Sequence, residues 1–260
     1  MIQNLNKLIK RKKYAIGTHV YYRDCSITEL YGDIGYDFVW IDTEHSTIDI
    51  KEVQRHIIAA RAGGVLSIVS VRWNDPVLVK PILELGPSGI IFPFVNTAKE
   101  AKKAIGSCLY PPKGFRGFGP RRAIKYGLIK EKEYINDVNK NLWKAIQVEH
   151  IEAVNNLDEI LEVEELDSIL VGPYDLSGSI GLLGQLEHPR VLELMDEIGE
   201  KVLKSDKTFG VALDTYNPKV IEKWIKRGID WICIGTDFAH ILNGAQKYLN
   251  LTNRIFQKNL

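Results

Sequence analysis

Trp143-Lys-Ala-Ile-Gln-Val-Glu149 and Ser168-Ile-Leu-Val-Gly-Pro-Tyr-Asp175 are two short apolar runs, each leading into a carboxylate. Neither alternates polar with apolar residues, which is how a strand buried on both faces reads. Between them, residues 153–163 carry apolar side chains at helical spacing, with Asn155 and Asp158 as start signals. Strand, helix and strand in that order predict a parallel βαβ unit. The same alternation extends outward in both directions. Further strand-like runs lie at residues 15–20, 38–42, 67–72, 89–95, 208–213 and 231–235. Helical patterns lie at residues 50–62, 75–86, 97–105, 191–203 and 218–228, with Gly86 suited to end the second of these. Residues 109–142 form the longest strand-free stretch and read as a loop followed by a helix.

Eight strands alternating with about eight helices predict an α/β protein of (β/α)8 TIM-barrel class, with residues 1–260 as one domain. An open doubly wound sheet is the structural alternative, but no G-x-G-x-x-G follows the first strand. The 34 basic and 33 acidic residues leave a net charge of +1, which argues against a nucleic-acid or anionic-membrane surface. Lys10-Arg11-Lys12-Lys13 reads as the solvated end of a first helix. Cys25, Cys108 and Cys233 show neither a disulfide framework nor metal-ligand spacing, which points to a reducing, cytoplasmic setting. The N-terminus lacks the apolar core of a secretory signal, and no apolar run approaches the roughly 20 residues that span a bilayer.

In a barrel of this class, chemistry belongs to the C-terminal ends of the strands. His45 and Arg72 stand 27 residues apart, and Glu149 and Asp175 stand 26 apart. Each spacing is about one βα unit, so each pair falls on adjacent strands. Two carboxylates side by side repel unless a proton or a cation compensates. A divalent ion with oxygen preference answers that need, Mg²⁺ or Mn²⁺ first and Co²⁺ less obviously. An Arg opposite suits a carboxylate or a developing oxyanion, and a His moves protons near neutral pH. Together these describe enolate chemistry. No lysine ends a strand, which counts against a Schiff-base route.

Seven segments run in order across nearly the whole chain: Asp37-Phe-Val-Trp-Ile-Asp-Thr-Glu-His45, Asn74-Asp-Pro-Val-Leu-Val-Lys80, Gly89-Ile-Ile-Phe-Pro-Phe-Val-Asn-Thr-Ala98, Tyr110-Pro-Pro-Lys-Gly-Phe-Arg-Gly117, Gln147-Val-Glu149, Gly172-Pro-Tyr-Asp-Leu-Ser-Gly-Ser179 and Gly235-Thr-Asp237. In these the sequence resembles the HpcH/HpaI aldolase/citrate lyase family, specifically its metal-dependent 2-keto-3-deoxy acid aldolases. The resemblance implies a phosphoenolpyruvate/pyruvate-type barrel. It implies Glu149 and Asp175 as metal ligands, His45 as the acid/base group and Asp42 as the carboxylate that orients it. Arg72 would steady the pyruvyl keto or enolate oxygen. Gln147 would face the same pocket, and the backbone of Gly172, Pro173 and Tyr174 would take the pyruvate carboxylate. The implied reaction cleaves a 4-hydroxy-2-oxo acid to pyruvate and an aldehyde. The implied assembly is a hexamer, a trimer of dimers, with C-terminal helices between subunits. Tyr174 departs from the small residue usual there.

Two other functions stand beside this one. One is a CoA-thioester lyase of the citrate lyase or malyl-CoA lyase type. The other is a non-catalytic barrel that binds a metal or a small acid. Glu44, Asp214 and Asp237 read as structural acids. His19 either points into the mouth or packs. Tyr174 either shapes the substrate site or contacts a lid. The Arg116–Arg122 loop either binds an anionic tail or meets a neighbouring subunit.

Overall fold

The structure, a computed structural model, describes residues 4–259. Its eight strands are β1 (Ala15–Val20), β2 (Phe38–Asp42), β3 (Leu66–Ser70), β4 (Gly89–Phe92), β5 (Trp143–Val148), β6 (Ser168–Val171), β7 (Thr208–Leu213) and β8 (Trp231–Thr236). All neighbours pair in parallel and β8 closes onto β1, so the sheet is a closed (β/α)8 barrel. The helices between and around them are α1 (Leu5–Lys12), α2 (Ser26–Ile34), α3 (Ile50–Ala62), α4 (Pro76–Glu84), α5 (Ala98–Cys108), α6 (Glu131–Asn141), α7 (Ile151–Asn155), α8 (Leu157–Leu161), α9 (Pro173–Ser179), α10 (Pro189–Leu203), α11 (Pro218–Lys226) and α12 (Asp237–Asn259). No helix among the described residues is long and apolar enough to cross a membrane.

Local chemistry sets several helix starts. Asp49 with Glu52, and Thr97 with Glu100, form reciprocal capping boxes on α3 and α5. Asp75, His188 and Asn217 cap α4, α10 and α11, each followed by Pro at the first helical position. The single helix expected over residues 153–163 is two short ones meeting at Asn156, whose side-chain Nδ2 donates to the Asn96 carbonyl at 2.9 Å. The structure also contains α2, α9 and α12, which lie outside the helical patterns read from the sequence.

Alternate residues of each strand fill the barrel. Phe38, Trp40, Leu66, Ile68, Ile91, Trp143, Ala145, Leu170, Trp231 and Cys233 form one interior cluster, and Leu5 and Ile9 of α1 belong to it. Trp231 packs edge-on against both Phe38 and Trp143, with ring centroids 5.7 and 5.5 Å apart. These rings need glycine on the next strand. A Cβ at Gly17 would sit 2.2 Å from the Phe38 ring, and one at Gly210 would sit 1.9 Å from the Trp231 ring. Asn6 of α1 accepts from Trp143 Nε1 at 3.0 Å and from Thr208 Oγ1 at 3.2 Å. The N-terminal end of the barrel is therefore sealed by an aromatic layer and a helix. The inward positions at the opposite end are His19, Asp42, Gln147, Glu149, Gly172, Asp214 and Asp237, and that end carries the polar chemistry.

Candidate active site

Glu149 follows β5 directly and is buried. Its two oxygens are engaged separately. Oε1 accepts the Phe94 backbone N–H at 2.7 Å, and Oε2 accepts a short bond from Gln147 Nε2. Phe94 reaches that position with a φ of 48°, a conformation that non-glycine residues rarely adopt and that concentrates at functional sites. Asp175 lies in the first turn of α9, across the paired ends Val148 and Val171 of β5 and β6, where the helix N-terminus favours its negative charge. Gly172 sits between them. A Cβ there would lie 2.8 Å from both Gln147 Nε2 and Glu149 Oε2, so only glycine leaves the Glu149 carboxylate room. The structure thus brings Gln147, Glu149 and Gly172 into contact, with the charge of Asp175 felt by Glu149 from the next βα unit.

Burial pushes the Glu149 carboxyl up to about 7, against its two hydrogen bonds and with the negative charge of Asp175 adding to the rise. Glu44, read from sequence as structural, belongs to the same electrostatic group. Burial first, then the charges of Glu149, Asp42 and Asp175, raise it to about 8. Four carboxyl groups, Asp42 included, thus crowd one mouth, and none of them pairs with a lysine among the described residues. Among the described residues, no three His, Cys, Asp or Glu side chains are placed to hold a metal ion by themselves. A pair of carboxylates with its other positions open is the donor set that suits Mg²⁺ or Mn²⁺, which keep several waters. Glu149 and Asp175 therefore fit a divalent ion, with Glu44 close enough to feel its charge.

The β2 side is built from one tight turn. Asp42 Oδ1 accepts the backbone N–H groups of Glu44 and His45 at 2.8 and 2.7 Å. Ser46 Oγ donates to the Asp42 carbonyl at 2.5 Å and accepts from the Ile48 N–H. Asp42 positions His45 through its backbone rather than through its ring. The His45 ring is exposed, with Nε2 3.7 Å from Glu44 Oε1. Arg72 lies two residues past β3, with Nε donating to the Thr43 carbonyl at 3.1 Å and Nη2 reaching the Ile48 carbonyl at 3.5 Å. This ties the arginine to the His45 turn and leaves Nη1 without a hydrogen bond among the described residues. Pro173 is buried in the first turn of α9 and Tyr174 is 58% exposed beside it.

His19 is the second residue whose place here was not decided by sequence. It lies over Trp40 with ring centroids 4.2 Å apart, and burial, then the nearby His45, lower it to about 3. It stands in the mouth as a neutral imidazole. The one buried lysine of the strands, Lys144, is at the far end of the barrel and paired with Asp167 at 2.7 Å. Nothing in the sequence flags Glu44 as part of the mouth or the Phe94 backbone as a donor. Strand parity is the signal that reaches His19.

The model of the HpcH/HpaI aldolase/citrate lyase family matches residues 17–244. The 2-dehydro-3,6-dideoxy-6-sulfogluconate aldolase of Pseudomonas putida is 30% identical over 93% of this chain and 94% of its own length. The 4-hydroxy-2-oxo-heptane-1,7-dioate aldolase of Escherichia coli is 29% identical over 84% of this chain and 82% of its own. Among solved structures, an HpcH/HpaI aldolase from Desulfitobacterium hafniense superposes with a TM-score of 0.89 at 25% identity, covering 96% of each chain.

Proposed function

The chain belongs to the HpcH/HpaI aldolase/citrate lyase family, and from that premise we propose that it is a divalent-metal-dependent aldolase cleaving a 4-hydroxy-2-oxo acid to pyruvate and an aldehyde. The observation that carries the proposal is the Glu149–Asp175 pair. It comprises two carboxylates at one barrel mouth, the first held by a strained backbone N–H and an amide, with no lysine to neutralise them. A divalent ion bound there, Mg²⁺ or Mn²⁺ with Co²⁺ as a third option, supplies positive charge beside the keto oxygen of the substrate.

The chain's own residues do the rest. The carboxylate of the oxo acid is received at the turn Gly172-Pro173-Tyr174, where the Gly172 N–H is held by the Val148 carbonyl and proline has none, so the donors are the N–H groups of Tyr174 and Asp175, and Gln147 faces the same pocket. His45 takes the proton of the C4 hydroxyl. The C3–C4 bond then breaks, the aldehyde leaves, and its bonding electrons enter the pyruvate enolate. Arg72 steadies the enolate oxygen, C3 takes a proton from water to give pyruvate, and His45 returns its proton to water. Asp42 fixes the turn that carries His45. A base of this kind typically contributes about 10²–10⁴-fold. The relatives named above are aldolases, which does not favour the CoA-thioester alternative.

The same reading extends to assembly and setting. Residues 1–260 act as one domain. Ile241, Leu242, Tyr248, Leu249, Ile255 and Phe256 of α12 are each at least half exposed, an apolar surface of the kind that packs between subunits. That supports a homo-oligomer, a hexamer by resemblance. Three unpaired cysteines agree with a cytoplasmic protein.

The deciding experiment follows hydrogen–deuterium exchange at the pyruvate methyl group by NMR in D₂O. It is run with Mn²⁺, with EDTA and with Glu149→Gln. Exchange that requires the metal and Glu149 is expected. Metal-loaded, folded protein that exchanges nothing would refute the proposal.

A further inference from the structure

Beside the mouth lies a cavity of about 580 Å³, between the loop leading into α10 and the loop leading into α11. Its rim includes Pro173 and Tyr174, the two residues before Asp175, together with Ala212 and Asp214. Ala212 pairs with the interior residue Cys233, so the rim continues the inner surface of the barrel. The wall beyond is apolar, formed by Leu192, Met195, Leu213, Val220 and Trp224. Its two cations are already taken. Lys223 Nζ is 2.5 Å from Glu187, and Arg227 Nε is 2.6 Å from Asp196. At the entrance, Asp214 is exposed and has no hydrogen bond or ion pair among the described residues.

We infer that this cavity receives the tail of the aldehyde, and that the aldehyde is uncharged with an alkyl or aryl tail. The inference rests on the aldolase reading and names its substrate class. An acidic tail would meet the Asp214 carboxylate on entry and find no free cation behind it, a like-charge contact in a partly dry site. An apolar tail would leave water for a wall of aliphatic and indole surface. The names of the two curated relatives carry a sulfonate or a second carboxylate. The cavity offers such a tail no cation that is not already paired, and one unpaired carboxylate at Asp214. Tyr174, in the first turn of α9 just before Asp175, lines this cavity and so joins it to the Asp175 side of the mouth.

The test is aldol addition of pyruvate, with Mn²⁺, to hexanal, acetaldehyde and succinic semialdehyde. For the unaltered protein, kcat/KM for hexanal is expected to exceed that for succinic semialdehyde at least tenfold. Leu192→Trp, which fills the cavity, is expected to lower kcat/KM for hexanal about tenfold more than for acetaldehyde. Asp214→Asn is expected to raise kcat/KM for succinic semialdehyde several-fold. A preference for succinic semialdehyde, or equal losses for both neutral aldehydes in Leu192→Trp, overturns the inference. Pyruvate methyl exchange needs no aldehyde and separates the two levels. If exchange occurs and hexanal is not preferred, the tail assignment alone is wrong. If exchange does not occur, the aldolase reading fails and this inference fails with it.

Discussion

Replacing Glu149 with Gln removes one charge from a mouth that holds too many of them. In the unfolded chain this carboxyl titrates near 4.5, and in the folded protein at about 7. Between those values the native state keeps a proton that the unfolded state has lost, so stability falls as pH rises through that window. The native contribution is fully present below pH 4.5 and lost above about 7. At 1.36 kcal/mol per tenfold change in proton affinity, the metal-free protein at pH 8 gives up about 3 kcal/mol at this residue. The side chain is buried, so solvent does little to screen that cost. Glutamine keeps the acceptor for the Phe94 N–H, and the Gln147 amide can turn to present its oxygen to the new NH₂ group. In EDTA at pH 8, Glu149→Gln should therefore be more stable than the unaltered protein by about 2–3 kcal/mol, or about 5–10 °C in melting temperature. At pH 4.5 the difference should vanish. A residual slope from Glu44 should remain up to about pH 8. Manganese at 100 times its Kd should stabilise the unaltered protein by about 2.7 kcal/mol and the variant far less. Thermal and denaturant unfolding at the two pH values, with and without Mn²⁺, measure all of this. A variant that is less stable at pH 8 in EDTA, or that keeps the full Mn²⁺ shift, would refute the electrostatic argument.

Other changes have equally definite outcomes. Gly172→Ala forces a methyl group to 2.8 Å from Glu149 Oε2 and Gln147 Nε2, and should abolish Mn²⁺-dependent stabilisation together with pyruvate exchange. His45→Asn should lower aldol cleavage about 10²–10⁴-fold while methyl exchange falls less. Equal losses in both assays would move His45 off the hydroxyl proton. Gly210→Ala places a methyl group 1.9 Å from the Trp231 ring and should lower stability by about 1–3 kcal/mol or prevent folding, read by thermal melting. A chain ending at residue 244 keeps all eight strands and loses most of the exposed apolar face of α12, so light scattering should report a smaller assembly. An unchanged mass would remove α12 as an interface.

The barrel was legible because a strand buried on both faces must be apolar throughout, and a helix covering it must be apolar on one stripe. Both periodicities survive in a linear reading, so β1, β2 and β7 keep their expected bounds and β3 and β4 differ only at their ends. The pair Glu149 and Asp175 was legible for a related reason. One βα unit has a nearly constant length, so residues one unit apart stand on neighbouring strands. Glu44 was not legible. It follows a strand end by two residues, and only the closing of the barrel decides that it faces Glu149 and Asp175 instead of solvent. The role of Phe94 was hidden because a left-handed φ at a non-glycine residue leaves no mark in composition. The resemblance gives Asp42 as the carboxylate that orients His45, but that Asp42 holds the backbone N–H groups of Glu44 and His45 depends on a turn geometry that residue types do not specify.

Sequence alone determined the alternation of strands and helices, the polar end of the barrel and the identity of the paired carboxylates, because these follow from short-range periodicity and fixed unit length. Tertiary structure decided the charge state of the mouth and the shape of what lies beside it. A pKa depends on desolvation and on charges brought within a few ångströms by chain closure. The cavity beside the mouth is bounded by side chains of α9, α10, α11 and the end of β7, which only the folded chain brings together.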